Sequence, residues 1–256
     1  MPDTSGLQEL PEGWVWATVG QLSSRIEYGT STKASSVPSG IPVLRMGNIQ
    51  DGELNFSDLK YLEGDHPETQ KTILGHGDLL FNRTNSAELV GKSAVYKDWH
   101  LKACFASYLI RVSFLSDISS DYVCTFINSR HGRAYIAQVR SQQVGQANVN
   151  GTKLAAMPIP LPPLAEQPRI VAEVERRLSV IQQTEATVEA SLTRAERMRQ
   201  SILKRAFSGK LVPQDPNDEP ASVLLGRIRA EREAAAKSLR TSRLPTSRHT
   251  LGGSSE

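Results

Sequence analysis

Apolar residues follow two different rhythms along this chain, and the change falls at a cluster of prolines. Before the cluster, short apolar runs alternate with glycine and turn residues. Ile41–Leu44, Leu79–Phe81, Ser93–Tyr96 and Tyr108–Val112 predict strands, punctuated by Asn48, Asp51-Gly52 and Gly75-His76-Gly77. The stretch from Asp121 to Val139 has helical spacing instead, with Val123, Phe126, Ile127, Ala134 and Ala137 as its apolar set. The pattern predicts an α+β fold class: a mixed α/β domain over residues 1–163.

At Met157-Pro158-Ile159-Pro160-Leu161-Pro162-Pro163 proline is expected to end the strands and open a helix, with Pro168 in the first turn, where a missing N–H costs nothing. From Glu166 to Phe207 no other proline and no glycine occurs. With Val171 at heptad position a, the d positions are Val174, Ile181, Val188, Ala195 and Ile202, all apolar. The a positions are Val171, Leu178, Glu185, Leu192, Arg199 and Ala206, two of them charged. This is a coiled-coil seam with two polar interruptions of the kind that set register and partner. Some forty residues make a rod of roughly 60 Å, which cannot bury its seam against itself and needs a partner helix. Gly209 suits the C-terminal cap. A turn-rich connector, Val212 to Pro220, leads to a second helix over Ala221–Leu239, with Leu224, Leu225, Ile228 and Ala235 on one face. Residues 164–240 thus form a helical region. The Ser/Thr/Gly-rich tail from Thr241 to Glu256 has the composition of a disordered segment.

Composition narrows the function classes. Of 256 residues, 39% are hydrophobic and 22% charged, as in ordinary globular chains. No apolar run is long enough for a membrane span, and Met1–Leu10 lacks both regions of a secretory signal, so a cytoplasmic location is expected. Cys104 and Cys124 read as buried thiols in a reducing compartment. The five histidines are scattered, so neither a metal site nor a cofactor is expected. The net charge of +3 hides an asymmetry: residues 1–163 carry 14 basic and 15 acidic side chains, residues 164–256 carry 16 and 12. Any nucleic-acid surface in the first part must come from local arrangement rather than bulk charge.

Two enzyme readings fail on their motifs. An adenine methyltransferase needs a glycine-rich turn between strand and helix and an Asn/Asp-Pro-Pro-aromatic motif for a flipped base. Here Gly75-His76-Gly77 precedes a strand, and Pro162-Pro163 follows a leucine. A metal-dependent nuclease needs clustered carboxylates and a lysine; Asp51 with Asp58-Leu59-Lys60 lies in a turn-rich stretch.

Several segments together resemble the specificity subunits of type I restriction-modification systems. Leu10-Pro11-Glu12-Gly13-Trp14 looks like the opening of that family's target-recognition domain. Pro42 to Ile49 with Gly52-Glu53-Leu54, and Gly77 to Thr84 with Gly91-Lys92, are similar to its early and central motifs. Asn148-Val149-Asn150 through Pro160 to Gln167 matches its passage into helix. Ser201 to Phe207, Gly209 to Pro213 and Glu219-Pro220-Ala221 resemble its helical region. The resemblance reaches to about Arg232. It implies a target-recognition domain followed by a long helix forming an antiparallel coiled coil. It further implies a non-catalytic DNA-reading role in host defence, with double-stranded DNA, a methyltransferase (M) subunit and a motor/nuclease (R) subunit as partners. Family members usually carry two recognition domains and two such helices; one of each is present here, with no internal repeat. The chain therefore looks like a half-subunit, natural or truncated, expected to self-associate through Val171, Val174, Leu178, Ile181, Val188, Leu192 and Ile202 and to read an interrupted palindrome.

Arginine pairs bidentately with guanine, and asparagine or glutamine with adenine. Asn82-Arg83-Thr84-Asn85-Ser86, directly after a strand, is the first candidate for base or phosphate contact; the alternative pairs Arg83 with a carboxylate such as Asp78 and uses Asn85 to shape the turn. Arg45 and Asn48 are similar candidates. Lys92 and Lys97 suit phosphate, since a point charge positions without specifying. Gln142, Gln143, Gln146 and Asn148 form a polar loop, either DNA-facing or a solvated linker. Arg130, Arg133 and Arg140 read as a solvated helix face, and Trp14 and Trp16 as packing. A coiled-coil adaptor for protein partners and a free-standing DNA-binding regulator are the rival readings.

Overall fold

The structure, a computed structural model, describes residues 8–97, 101–143 and 145–241; most of the tail expected to be disordered lies outside them. The chain divides into two compact units, one running to Gln182 and the other beginning at Gln183.

In the first unit β1 (Val15–Thr18) leads through a single turn, α1 (Val19–Leu22), into β2 (Ser23–Tyr28). Thr18 and Gln21 make a reciprocal capping box at that turn. Next come β3 (Ile41–Leu44), a 3₁₀ turn (Met46–Asn48), β4 (Ile49–Gln50), β5 (Glu53–Leu54), β6 (Lys60–Leu62) and α2 (Pro67–Lys71). Five strands follow: β7 (Leu79–Asn82), β8 (Thr84–Asn85), β9 (Ser93–Val95), β10 (Cys104–Phe105) and β11 (Leu109–Phe114). The unit continues with α3 (Ser120–Asn128), α4 (Arg130–Val139), β12 (Ser141–Gln143), β13 (Gln146–Asn148), α5 (Gly151–Ala155) and β14 (Pro158–Leu161). Helix α6 (Gln167–Phe207) spans the boundary, and α7 (Ala221–Thr241) lies in the second unit. The fold is the α+β arrangement expected.

The main sheet runs β2-β11-β7-β9, antiparallel throughout. Its period-two alternation serves two cores. Leu79, Phe81, Ile110 and Val112 pack with Val123, Ile127 and Ile136 of α3 and α4. On the other face Leu80 and Leu109 pack with Leu44, Tyr96 and Phe105. A sheet covered on both sides explains why β7 reads as a continuous apolar run.

Arg111 sits in the second of these faces, only 4% exposed at its side chain. Its guanidinium donates to the Ile73 carbonyl (2.6 Å), pairs with Glu27 and approaches Asp78 Oδ2 (3.6 Å), with the Phe105 ring centroid 5.4 Å away. Asp78, one alternative partner for Arg83, is therefore engaged elsewhere; it also accepts from Ser113 Oγ and the Gly75 amide.

Two expectations are corrected. The single helix over 121–139 is two helices, broken where Ser129 takes an extended conformation (ψ 167) and caps α4. Gly132 then comes so close to the α3 carbonyls that a Cβ there would stand 2.4 Å from the Ile127 oxygen. Proline also does not end the strands at 157–163. Pro158–Leu161 is itself a strand, paired antiparallel with β1 in a two-stranded sheet where missing N–H groups are tolerated. The strand expected over Ile41–Leu44 is found to the residue, and the boundaries of the other three shift by one or two.

The second unit begins within α6. Past Phe207 the Lys210 amide returns to the Arg205 carbonyl (2.8 Å) with Gly209 at φ +69, the left-handed cap expected there.

Removing the Arg111 guanidinium leaves the Ile73 carbonyl without its donor and the buried Asp78 carboxylate without an offsetting charge. Arg111→Ala is expected to cost about 3–5 kcal/mol in urea denaturation; a loss under about 1 kcal/mol would show that the network does not hold the sheet. The thiols Cys104 and Cys124 are both buried and unbridged, and burial pushes them up to about 11 and about 12. In the unfolded chain a thiol ionises around pH 8.5, so between there and about 11 the unfolded state holds fewer protons. Their contribution to stability is complete below that window and falls as pH rises through it. Denaturation midpoints should drop across this range, and Cys124→Ala should flatten the drop.

Candidate nucleic-acid interface

After Asn82 the chain leaves the main sheet. Thr84 and Asn85 join a separate small sheet, order β12-β13-β8, with Asn148 opposite Thr84 and Ala147 opposite Asn85. The segment 141–148, with a loop the simplest expectation, is thus a hairpin turning at Gly145 (φ +80). Two segments distant in sequence become neighbours, and Asn148 Nδ2 donates to Thr84 Oγ1 at 2.7 Å. Gln142 and Gln146 stand exposed on the same hairpin.

Arg83 occupies the step between the two sheets. Its amide donates to the Tyr108 carbonyl (3.0 Å) and its carbonyl accepts from the Val149 amide (2.9 Å). The guanidinium lies over the Tyr28 ring, 4.7 Å from the centroid, and Nη1 reaches the Ser107 carbonyl at 3.5 Å. Nε is buried without a partner. Tyr28 is 46% exposed, and its hydroxyl accepts from the Gly151 amide at 2.8 Å, so the ring is held in place. Tyr108, whose carbonyl accepts from the Arg83 amide, is also exposed. A planar cation stacked on a fixed aromatic, flanked by Asn, Gln and Thr, is suited to stacking and bidentate hydrogen bonding.

Other candidates have internal duties. Asn82 is fully buried; its backbone pairs with Lys92 and Gly91, and its side chain reaches the Leu89 carbonyl at 3.4 Å. Asn48, also buried, accepts from the Arg45 amide and donates to the Asn55 and Asp58 carbonyls. Both asparagines are structural anchors here, and neither presents its amide to solvent. Arg45 pairs with Asp58 at 2.9 Å. Lys97 pairs with Asp121 at 2.9 Å and lies 4.0 Å from Glu175; the hydrogen bond with Asp121 raises its pKa. Lys92 is half-buried, and Asn85 Oδ1 caps the Ser86 amide at 2.8 Å.

Arg133 and Arg140 are not a solvated face. Arg133 donates to the carbonyls of Val90 and Glu88, and Arg140 to that of Ala87, clamping the loop that follows β8. Burial, then the nearby Arg140, lowers the pKa of Arg133. Arg130 is exposed. Trp14 packs against the main core, and Trp16 Nε1 reaches the Gln8 carbonyl at 3.4 Å. Sequence reasoning missed Tyr28 and Tyr108. No local signal marks Tyr28, which meets Arg83 through the pairing of β11 with both β2 and β7.

A family model described as type I restriction modification DNA specificity domain matches residues 11–194. The EcoKI specificity subunit of Escherichia coli K12 is 31% identical over 224 residues, covering 84% of this chain and 48% of the relative. The StySPI specificity subunit of Salmonella potsdam is 31% identical over 241 residues, covering 90% and 52%. The chain thus spans about half the length of these curated relatives. Among solved structures, a chain from a study of type I R-M system assembly superposes with a TM-score of 0.60, and the HsdS subunit of Thermoanaerobacter tengcongensis with 0.51. Each is 22% identical and covers 80% of this chain and 48% of the other, a likeness of fold.

Hydrogen bonds from a cation to backbone carbonyls are worth about 1.5–3 kcal/mol. Arg133→Ala is therefore expected to speed amide exchange at Val90 and Gly91 by about tenfold or more, with exchange in β7 and β11 unchanged. Uniform acceleration across the unit would mean that the clamp acts on global stability instead.

Proposed function

The chain belongs to the type I restriction-modification DNA specificity family, and from that premise we propose that it reads one half-site of a DNA target through the surface around Arg83. The observation that carries this reading is the small sheet that sets Arg83, Thr84 and Asn85 beside Gln146 and Asn148. In this proposal Arg83 is the principal base-reading group, pre-oriented by Tyr28. Asn85, Ser86 and Gln146 add donors and acceptors, Thr84 and Asn148 hold the strands together, and Lys92 meets phosphate. A guanidinium already stacked loses little rotamer freedom when it engages a base. Recognition ends near Pro163, and the helical region beyond it connects to partners.

Helix α6 supplies the second half of the proposal. Leu178, Ile181, Val188, Leu192 and Ile202 are each between 51% and 65% exposed, while Val171 and Val174 are half-buried. A second copy would cover this stripe, and two identical readers on a two-fold axis would recognise an interrupted palindrome. The chain contributes no catalytic group; it directs a modification subunit, and where present a motor/nuclease subunit, to its site on cytoplasmic DNA.

Mapping methylated adenines in cells that express the chain with its modification subunit should reveal one interrupted palindromic motif, absent without the chain. Methylation unaffected by its loss would refute the assignment. Arg83→Ala should reduce the preference for that motif over unrelated duplex by about 1–3 kcal/mol, roughly ten- to a hundredfold. Arg83→Lys, which lacks the planar fork, should not restore it.

A further inference from the structure

From Val171 to Ala206 every a and d position of α6 is apolar or alanine except Glu185 and Arg199, two charges of opposite sign two heptads apart. Neither belongs to an ion pair among the described residues. Glu185 has no basic residue three or four positions away on its own helix. Arg199 has Glu196 one turn before it, but that carboxylate accepts from Gln200 at 3.0 Å. The helix does form local pairs where the sequence provides them, with Arg176 and Arg177 on Glu173 at 2.8 and 2.7 Å. Two unpaired opposite charges on an otherwise apolar stripe require each other once the stripe is covered, because a buried charge without a partner is strongly unfavourable.

We propose that Glu185 of one copy pairs with Arg199 of a second copy, and reciprocally, so that these two bridges select an antiparallel dimer and set its register. The inference rests on the preceding reading that a second copy covers the seam. A parallel, in-register dimer would place Glu185 on Glu185 and Arg199 on Arg199, like charges in apolar layers. In antiparallel packing an a residue inserts among two a and one d residue of the facing helix. Glu185 then meets Arg199 of the second copy when the two-fold axis crosses within about two residues of Leu192, the midpoint between them. Shifting the helices by a further heptad in either direction brings Glu185 against its own counterpart, or Arg199 against its own.

The test uses the full chain as wild type, Glu185→Arg, Arg199→Glu and the double variant, in sedimentation equilibrium at micromolar concentration. Both side chains lie on an exposed helix surface in the single chain, so the variants should fold, with circular dichroism as the check. Each single variant is expected to self-associate at least roughly tenfold more weakly than wild type, and the double variant to recover. Mixing the two single variants, one carrying an affinity tag, should yield a heterodimer, since both seam charges are then basic on one copy and acidic on the other. A monomeric wild type would remove the dimer itself and overturn both readings. Single variants that dimerise as tightly as wild type, or a mixture that fails to pair, would overturn the charge register alone.

Discussion

Arg111 is the constraint on which the first unit turns. A guanidinium enclosed to 4% exposure needs every contact it has, and those contacts come from separate parts of the chain: Glu27 on β2, the carbonyl of Ile73 and Asp78 before β7. Meeting them fixes β11 against both neighbours in one register, with Ile110 opposite Tyr28 and Leu109 opposite Asn82. That register carries Tyr28, Tyr108 and Arg83 to one end of the sheet. The stacked arginine of the candidate interface is a consequence of a buried arginine a few residues along the chain from Tyr108.

The same end of the sheet is held from outside. Asn82 ties the 86–92 loop by backbone and side chain, Arg133 and Arg140 hold the loop's carbonyls, and Gly91 approaches α4 closely enough that a Cβ would meet Ile136 at 2.5 Å. These contacts tie the segment next to Arg83 to α4 and to the end of β7. Among the cationic side chains around the candidate interface, Arg133 and Arg140 are spent on backbone carbonyls, whereas Arg83 lies over the Tyr28 ring with a single long bond, 3.5 Å, to the Ser107 carbonyl.

The helix poses the complementary problem. The first unit buries its own core, whereas the residues of the α6 stripe from Leu178 to Ile202 are exposed, as are Leu224 and Leu225 on α7. An exposed apolar stripe is the usual mark of an interaction surface, and the spacing of its residues suits another helix better than a flat surface.

The long helices were legible in the sequence almost to the residue, because periodicity in both and, in α6, the lack of glycine and of any proline after Pro168 and the Gly209 cap are local signals. The strands at 41–44, 79–82 and 109–114 were legible to within two residues because short apolar runs bounded by turn residues are a local signal as well. Proline at 158 and 160 misled, since what permits it is β14 lying in a two-stranded sheet, a fact of pairing rather than of sequence. Ser129 was a cap hidden inside a helical period. Arg83 was singled out by its residue type and its place after a strand, while Asn48 and Asn82 were candidates on similar grounds and are buried. Spacing within a few turns was enough to show which segments are helical, where the apolar seam lies and which charges interrupt it. Which polar side chains face water, and which aromatic underlies Arg83, emerged only on folding, because both depend on strand pairings between residues far apart in the chain.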